Sequence, residues 1–508
     1  MFNLPGYDTS GFKSIPQLSP CTPLLFYHDS TALIAVTGMT KHVVLNLSPL
    51  RTSLDSRELC QTPASRAGHN AALPVNQIPA ELLGDIFIKF LEDDREFPDY
   101  APATRPLVSL HTRADPMILG QVCSWWRDVT LSTAALWANI FILEPKISQI
   151  FRTRLWLDRA GNNLLNIAIR DTREGGYGLA SFHEILLLLA SRRQFWRKVN
   201  LVLPDVALEA LVAIITKQPI DFRNLESATL SIICQQPSHK GSVDAIWKAF
   251  HSSPVLHEVD WRGAFYNELP AHAPWAQLTH LNLLSEFSAS SLSDILISCP
   301  RIQVLFIFRL SLSSEASQPE PILLKNLHTL TLEAAVETGP LFGRLTLPSL
   351  RLLDIRHRYL DEDLSSDFFP FQEFLVRSNC CLERFALYDE NLEEDHLYGY
   401  ISSPHLRNVT FLDLQVPISD KIITSFTRQT NGGFHEIMPF LEGMRLLISS
   451  SCDGLLAQMA SSRWADLNAD KSHKLLKFLI LDKDGDYGIE DELGLSKLFN
   501  AGLQGLKS

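Results

Sequence analysis

A short hydrophobic pattern, apolar-x-x-apolar-x-apolar, recurs along the chain from residue 164 onward. The alternation in its second half predicts a strand with one buried face. The starts of successive copies are 22 to 35 residues apart. The shortest interval runs from Leu256 to Leu278, and an interval of 35 residues runs from Leu406 to Leu441. A unit of this length predicts repeats that stack side by side. The copies are Leu164/Ile167/Ile169, Trp196/Val199/Leu201, Leu225/Ala228/Leu230, Leu256/Val259/Trp261, Leu278/Leu281/Leu283, Ile302/Leu305/Ile307, Leu327/Leu330/Leu332, Leu350/Leu353/Ile355, Leu382/Phe385/Leu387, Leu406/Val409/Phe411, Leu441/Met444/Leu446 and Leu476/Leu479/Leu481.

Several segments between these copies have the spacing of amphipathic helices. One apolar stripe runs from Leu292 to Cys299, and Pro300 ends it just before the copy at Ile302. A single strand–helix unit cannot bury its own apolar face, so such units stack into a solenoid. A doubly wound sheet also alternates strand and helix, but the chain has no glycine-rich phosphate turn after a strand. The expected fold class is therefore α/β, with short parallel strands alternating with helices.

Upstream of the repeats, residues 78–91 predict another amphipathic helix. Pro79 suits the first helical position, where its missing N–H costs no hydrogen bond, and Glu81 in the first turn complements the helix dipole. The apolar residues that follow recur at three-to-four spacing, which predicts a wide apolar face. They are Leu82, Leu83, Ile86, Phe87, Phe90 and Leu91.

A second helical stripe is predicted further along, and residues 92–115 separate it from the first. These intervening residues are polar and contain three prolines, which predicts an inserted loop. The pair Leu136–Trp137 follows the second stripe. The stripe itself consists of Ile118, Val122, Trp125 and Val129.

The order of these residues resembles the F-box, the helical module by which substrate receptors dock on the Skp-type adaptor of cullin–RING ubiquitin ligases. The matching positions are Ile78-Pro79, Glu81-Leu82-Leu83, Ile86-Phe87, Val122-Cys123, Trp126-Arg127 and Leu136-Trp137, and the departure is the insertion. The resemblance implies that the F-box core and the adaptor contacts share a set of apolar side chains. They are Ile78, Pro79, Leu82, Leu83, Ile86, Phe87, Val122, Trp126, Leu136 and Trp137.

The repeat unit is similar to that of F-box proteins with a C-terminal leucine-rich-repeat domain, a type abundant in fungi. This resemblance implies an F-box at residues 71–142 and an irregular leucine-rich-repeat solenoid at residues 143–508. Residues 1–70 show no sustained period and predict a poorly ordered segment. The implied function is that of a substrate-recognition subunit of a Skp–cullin–F-box ligase, with an unknown protein as substrate. The alternative is an adaptor-independent binding scaffold, in which a degenerate F-box caps the repeats.

Residues that alternate with the core positions of the repeat strands are candidates for substrate contact. They are expected on the inner face of the repeat sheet, and an exposed aromatic pair such as Phe306 and Phe308 often anchors a partner. The candidates are His280, Asn282, Phe306, Phe308, Asp354, Arg356, Arg384 and Tyr388.

Composition and charge exclude several other classes of function. The net charge is −12, and the 45 lysines and arginines form no long run, which disfavours nucleic acid and anionic membranes as partners. The 8 scattered cysteines predict a reducing compartment, the cytoplasm or the nucleus. No zinc-ligand spacing and no matched nucleophile and base occur, so neither a cofactor nor an enzymatic activity is expected.

One segment near the C-terminus resembles the first part of an EF-hand calcium loop. Asp482, Asp484 and Asp486 occupy its acidic positions. The position of the required glycine holds Tyr487, however, and that of the closing glutamate holds Leu493. A surface turn after the last repeat strand is therefore the preferred interpretation, and a calcium-regulated binding protein is a rival one.

Overall fold

The computed structural model describes residues 77–93, 116–172, 178–216, 222–233, 240–262, 272–311, 321–334, 338–357, 368–428, 437–464, 476–483 and 487–507. Within these ranges the chain is mixed α/β, and a long parallel sheet alternates with helices, as the sequence predicts. The expected N-terminal segment 1–70 lies outside the described residues, as does most of the expected loop 92–115. The first two residues of that loop, Glu92 and Asp93, belong to a helix instead.

The helices and strands are as follows. The helices are α1 Ala80–Asp93, α2 Pro116–Leu119, α3 Ser124–Ser132, α4 Ile147–Ala160, α5 Leu179–Ala190, α6 Leu208–Thr216, α7 Lys240–Phe250, α8 Ala289–Ser298, α9 Gly339–Phe342, α10 Phe368–Ser378, α11 Glu394–Ile401, α12 Asp420–Phe426, α13 Leu455–Trp464 and α14 Ile489–Asn500. The strands are β1 Asn139–Leu143, β2 Leu165–Arg170, β3 Trp196–Pro204, β4 Ser227–Ile233, β5 Glu258–Arg262, β6 His280–Ser288, β7 Val304–Ser311, β8 Ile322–Leu323, β9 Thr329–Ala334, β10 Leu345–Thr346, β11 Leu352–His357, β12 Arg384–Tyr388, β13 Phe411–Ile418, β14 Gly443–Ile448, β15 Phe478–Lys483 and β16 Gln504–Lys507.

The order of strands in the main sheet follows the order of the chain. Fourteen strands of the described ranges pair in the sequence β1–β7, β9, β11–β16, and β8 and β10 form a separate two-stranded sheet. Every pair in the main sheet is parallel. Parallel neighbours need crossover connections of one hand, which places the connections on one side of the sheet. Each strand therefore contacts only the strands before and after it, as in a solenoid.

The pairing register aligns the predicted copies with one another. Leu281 pairs with Leu305, and Leu305 with Leu330. Leu330 pairs in turn with Leu353, and Leu353 with Phe385. All of these side chains are fully buried. The hydrophobic pattern therefore predicts both the strands and the face that each strand buries.

Two predicted positions are wrong. In the copy assigned to Leu406/Val409/Phe411, the residue that pairs with Phe385 is Leu412, so the correct copy lies three residues later. Leu406 does not begin a copy of the repeat, because it belongs to a 3₁₀ turn, Pro404–Leu406, that precedes the strand. In the first copy, Leu164 is 36% exposed and Leu165 is 2% exposed. The register shifts beside Leu165, and this irregularity brings Leu165 into the core in place of its neighbour.

The sheet also has a strand at each end that the pattern search missed. At the first end, Ile140 pairs with Ile167, so Trp137/Ile140/Ile142 is a further copy of the repeat. At the other end, β16 pairs with β15, so β15 is not the last strand. There Gly505 stands opposite Leu479, and a Cβ at Gly505 would lie 1.8 Å from the carbonyl oxygen of Leu479. This close approach requires glycine, which removes the apolar signal.

A backbone hydrogen-bond ladder runs along the edge where the strands begin. In each case a carbonyl oxygen one residue after the first apolar position accepts two N–H groups of the next repeat. The oxygen of Gln303 accepts from His328 and Thr329, at 2.9 and 3.2 Å. The carbonyls of Glu226, His257, Thr279, His328, Arg351, Glu383, Thr410 and Glu442 do the same. Because these bonds join main-chain atoms, side chains of different types can occupy the positions, although the hydroxyls of Thr279 and Thr410 add bonds to the carbonyls of His257 and Glu383.

The chain divides into two compact units, Met1–Thr130 and Leu131–Ser508. Helices α1 and α2 belong to the first unit, and the strands belong to the second. Among the described residues, no helix combines the length and the apolar character that a membrane crossing requires.

Candidate docking surfaces

Helix α1 carries one apolar stripe that is buried in the first unit. Leu83, Phe87 and Leu91, spaced four residues apart, are 1%, 2% and 1% exposed. The ring of Phe87 packs on that of Trp126, with centroids 4.8 Å apart. Val129, one turn after Trp126, is also buried. The contact between Phe87 and Trp126 joins α1 to α3.

A second apolar stripe on α1 is exposed. Leu82, Ile86 and Phe90, each one residue before a member of the buried stripe, are 56%, 44% and 43% exposed. Pro79, just before the helix, is exposed too. An open groove runs along this side of the helix, lined by Ile78, Leu82, Asp85, Ile86, Ile88 and Lys89. The helix thus presents apolar surface that nothing in the described part of the first unit covers.

The second predicted helix is shorter than its expected stripe. Helix α2 ends at Leu119 and α3 begins at Ser124, so Ile118 and Val122 do not share a helix with Val129. Val122 is 59% exposed. The sulfur of Cys123 accepts the backbone N–H of Trp126 at 3.4 Å and so satisfies a free donor at the start of α3. The prediction of one continuous stripe is therefore wrong.

Leu136 and Trp137 lie in the second unit and are buried there. They are 1% and 0% exposed, in the 3₁₀ turn Ala134–Trp137 that precedes β1. The ring of Trp137 packs edge-on against Trp156 of α4, with centroids 5.8 Å apart. The guanidinium of Arg159 lies 4.2 Å from the centre of the same ring. These two residues belong to the core of the repeat unit, and their side chains are closed to an adaptor in this structure.

The candidate substrate residues all lie on strands and share one side of the sheet. We call this side the second face; it carries the residues that alternate with the buried apolar ones, such as Phe306 between Leu305 and Ile307. Phe306 and Phe308 are half-buried. Asn282 pairs with Phe306 in the register of β6 and β7. His280 lies at the start of β6, where its Nδ1 is 2.9 Å from the hydroxyl of Thr279.

Three of these candidates are joined in a polar network. The guanidinium of Arg356 donates to both carboxylate oxygens of Asp354, with Nη2–Oδ2 at 2.7 Å and Nε–Oδ1 at 3.1 Å. The same guanidinium lies 4.6 Å from the ring centre of Tyr388. The hydroxyl of Tyr388 donates to Asp413 at 2.9 Å. Arg384 is not part of this network, because its guanidinium stacks on the ring of Phe411 at the start of the strands.

The network extends to residues that the sequence did not single out. Gln415 donates to Asp413 at 3.3 Å and to Asp482 at 3.4 Å. Arg445 donates to Asp482 at 2.8 Å. The hydrophobic pattern does not single out Asp413, because the predicted copy of its repeat lies three residues too early, and it places Asp482 in a surface turn after the last predicted strand. The sequence does carry a signal for both residues. Asp413 lies between the buried Leu412 and Leu414, and Asp482 directly follows the buried Leu481.

Burial dominates the electrostatics of this network. It raises the pKa of the Asp413 carboxyl, and the charge of Arg445 opposes that rise. Burial also raises the pKa of Tyr388, and the neighbouring Asp413 and Asp354 raise it further because they disfavour a phenolate. Tyr388 therefore stays protonated at neutral pH and serves as a hydrogen-bond donor.

The structure around Asp482 differs from that of a calcium loop. Asp482 lies in β15, and the segment before it is a strand, as predicted, whereas an EF-hand requires a helix. The hydroxyl of Tyr487 donates to the carbonyl of Leu481 at 2.8 Å. Residues 484–486 lie outside the described residues. In the described ranges, no group of three or more metal-ligating side chains is found.

No known protein family and no curated protein matches this chain.

Proposed function

We propose that this chain is the substrate-recognition subunit of a Skp–cullin–F-box ubiquitin ligase. The observation that carries the proposal is the division of α1 into two stripes. Leu83 and Phe87 are buried, and Phe87 packs on Trp126, whereas Leu82 and Ile86 are exposed beside the groove at Ile78. In the F-box pattern, the first set corresponds to the fold's own core and the second set to the contact with the adaptor.

The exposed stripe has the chemistry of a helix-docking surface. Apolar side chains four residues apart form a continuous ridge, which is the usual way in which a helix binds an apolar groove. Each side chain that becomes fully buried contributes about 1.5–3 kcal/mol. Asp85 and Lys89 flank Ile86 and would form a polar rim around this contact.

In this proposal the chain supplies binding and no bond chemistry. The second face of the sheet holds the substrate, and the adaptor brings the ubiquitin-charged enzyme to it. Holding the two together raises the effective concentration of the substrate, which is how a receptor increases the rate. The alternative, a free-standing binding scaffold with a degenerate F-box, assigns the same role to the second face but no adaptor to α1.

The test is retention of purified Skp-type adaptor by the full chain. The variant Leu82→Asp/Ile86→Asp changes two side chains that are 56% and 44% exposed, so it should fold. The matched control is Ile147→Asp/Phe151→Asp on α4, because these two side chains have the same spacing and are 80% and 74% exposed. We expect the wild type and the control to retain the adaptor and the α1 variant to lose it.

Two results would contradict the proposal. Failure of the wild-type chain to retain the adaptor would leave the scaffold alternative. Equal loss in the α1 variant and the α4 control would show that any apolar patch suffices for the interaction. Melting curves of all three proteins establish that they are folded.

A further inference from the structure

A polar groove lies at the edge where strands β7, β9 and β11 begin. It has a volume of about 450 Å³ and is lined by Gln303, Asn326, His328, Ser349 and Arg351. We call it the edge groove. Gln303, His328 and Arg351 each come directly before a strand, and these three strands are neighbours in the main sheet. Because neighbouring strands are about 4.8 Å apart, the three residues form a row along the edge.

Hydrogen bonds between successive repeats fix the walls of the edge groove. The main-chain ladder joins Gln303 to His328 and His328 to Arg351. The amide of Asn326 donates to a carbonyl of the turn before β7 at 3.1 Å, and the hydroxyl of Ser349 donates to a carbonyl of the turn before β9 at 2.6 Å. The polar groups around the groove are therefore held in place without a ligand.

Three of the lining side chains have N–H groups that the described fold leaves unused. The amide of Gln303 has no hydrogen-bond partner among the described residues. Nδ1 of His328 lies 3.0 Å from the hydroxyl of Thr329, which leaves Nε2 available as a donor. Within the described ranges Arg351 uses only Nη1, in an ion pair with Glu383 at 3.3 Å, so its Nε and Nη2 remain available.

The row that contains these side chains lacks carboxylates over five repeats, although the net charge of the chain is −12. The nearest acidic residues in the row are Glu226 before this stretch and Glu383 after it. Lys325, in the turn before β9, is exposed and has no ion-pair partner in the described part of the chain. The edge groove is thus a cationic site on an acidic protein. The five residues of the row are His257, Thr279, Gln303, His328 and Arg351.

Donors of this kind and number match a tetrahedral dianion. A phosphate monoester carries close to two negative charges at neutral pH and has three terminal oxygens, each a strong acceptor. A guanidinium such as that of Arg351 can donate two parallel N–H bonds to two of these oxygens. The imidazole of His328 and the amide of Gln303 stand beside it in the row and can donate to the third. A carboxylate has only two oxygens and would leave part of this set unused.

We propose that the edge groove binds a phosphate monoester. Arg351 provides the charge and a pair of N–H bonds, and His328 and Gln303 donate to the remaining oxygen. The ion pair of Arg351 with Glu383 does not prevent this, since the two side chains are 68% and 60% exposed and such an exposed pair is weak. The edge groove is not part of the second face, so this binding does not depend on the function proposed above.

The test is fluorescence anisotropy with the full chain and a short labelled peptide of glycine and serine that carries one phosphoserine. Two counterparts carry serine or glutamate at that position, and unlabelled O-phosphoserine is the competitor. The variant Arg351→Gln removes the charge from the edge groove. The matched control is Lys477→Gln, because Lys477 occupies the same position in a later repeat, is also 68% exposed and also pairs with a glutamate, at 2.9 Å.

We expect the phosphoserine peptide to bind at least about tenfold more tightly than its two counterparts. Arg351→Gln should weaken binding about tenfold, because it removes hydrogen bonds between charged groups. Glu383→Gln should strengthen binding about twofold or more, because it removes the negative charge nearest to the guanidinium. Lys477→Gln should bind like the wild type. All of these side chains are exposed or nearly so, and melting curves establish that the variants are folded.

The competitor identifies the source of the phosphate monoester. If O-phosphoserine displaces the peptide at a concentration close to that of the unlabelled peptide itself, the ligand is a small phosphate, since the rest of the peptide adds nothing. If much more O-phosphoserine is needed, the groove recognises a phosphorylated protein segment. Either result supports a monoester site.

Four results would overturn this inference. The first two are no binding of the phosphoserine peptide and equal binding of the phosphoserine and glutamate peptides. The third is an effect of Arg351→Gln no larger than that of Lys477→Gln, which would show only general attraction of anions to basic side chains. The fourth is binding by Glu383→Gln that is no tighter than binding by the wild type, which would show that the anion does not meet Arg351.

Discussion

Asp453 and Asp491 cap two neighbouring helices reciprocally. The carboxylate of Asp453, which lies just before α13, caps α14, and the carboxylate of Asp491, in the first turn of α14, caps α13. Asp453, just before α13, accepts the backbone N–H of Asp491 in α14 at 2.9 Å, and that of Glu490 at 3.1 Å. Asp491 accepts the N–H of Ala457 in α13 at 2.8 Å. These hydrogen bonds hold the pKa of the Asp453 carboxyl below its usual range. The last two helices are thus joined at their N-terminal ends.

Replacing Asp491 should separate these two helices. Asp491 is fully buried, and Asp491→Ala leaves the N–H of Ala457 without its acceptor. We expect a loss of about 1–3 kcal/mol in the free energy of unfolding, measured in urea. The neighbouring exposed residue serves as a control, and Glu490→Ala should change stability by less than about 0.5 kcal/mol. Similar effects of the two substitutions would contradict this account.

The two stripes of α1 predict opposite outcomes for adjacent leucines. Leu83→Ala removes a side chain that is 1% exposed, and it should destabilise the first unit by about 2–5 kcal/mol. Leu82→Ala removes one that is 56% exposed, and it should leave stability within about 0.5 kcal/mol while still weakening adaptor binding. Thermal unfolding and adaptor retention measured on both variants separate the core stripe from the docking stripe.

His251 should make the repeat unit less stable at acidic pH. Its ring stacks on Trp247, with centroids 5.2 Å apart, and its Nδ1 lies 2.8 Å from Nδ1 of His272. Burial, together with the charge of His272, lowers the pKa of His251 to about 3. The unfolded chain binds this proton near pH 6.5 and the folded chain does not. Stability from this group is therefore full above about pH 6.5 and falls as the pH decreases toward 3.

The measurement is urea unfolding of the wild type and of His251→Phe at about pH 7.5 and pH 5.5. At pH 5.5, one unit below the ordinary pKa of histidine, protonation of His251 in the unfolded chain lowers the free energy of unfolding by about 1.4 kcal/mol. The wild type should show this loss and the variant should not. Phenylalanine preserves the stacking on Trp247. Equal losses in both proteins would assign the pH dependence to other groups.

Arg463 is expected to be essential to the C-terminal repeats. Its side chain is 1% exposed and donates to the carbonyls of Phe426, Met438 and Ile437, at 2.6, 3.1 and 2.7 Å. Arg463→Met keeps much of the volume but leaves these carbonyls without their donor. We expect a loss of about 3 kcal/mol or more in urea unfolding. Arg428→Met is a suitable comparison, because Arg428 is half-buried whereas Arg463 is fully buried, and it also donates to a backbone carbonyl, that of Pro439, at 2.8 Å. It should cost less.

Calcium should have no effect on this protein. The carboxylate of Asp482 is bound by Arg445 at 2.8 Å, and the side chain at the closing position, Leu493, cannot coordinate the ion. The melting temperature should therefore be the same in calcium and in chelator. A higher melting temperature in calcium would revive the rival interpretation of residues 482–486.

The sequence predicts the repeat strands well because the requirement on them is local and regular. Leu305 and Ile307 must both be buried against the crossover connections, and this demand returns in every repeat. The prediction fails where neighbouring apolar residues allow two alignments of the repeat, as at Val409. It also fails where a close backbone approach requires glycine in place of an apolar residue, as at Gly505. Trp137 shows a third reason for failure. It belongs to the F-box-like pair Leu136–Trp137 and also to the repeat copy Trp137/Ile140/Ile142, and only the first is identified from the sequence.

The candidate site was predictable only in part, since its network links residues far apart in sequence. Asp354 and Arg356 are two positions apart and are visible as a pair on one strand. Their connection to Asp413 depends on the strand register and on the reach of Tyr388. Thr331 is buried next to Asp354 in the strand register, and its hydroxyl has no hydrogen-bond partner among the described residues; no pattern in the sequence predicts this.

The backbone ladder at the edge where the strands begin also determines how the repeat unit responds to force. Each of these carbonyls, such as that of Gln303, bonds to the repeat that follows it. Tension applied at the two ends of the sheet therefore passes through every pair of neighbouring repeats in series. In an optical trap such a sheet should give way in steps of roughly one repeat each, and should recoil in the same way when the load is released.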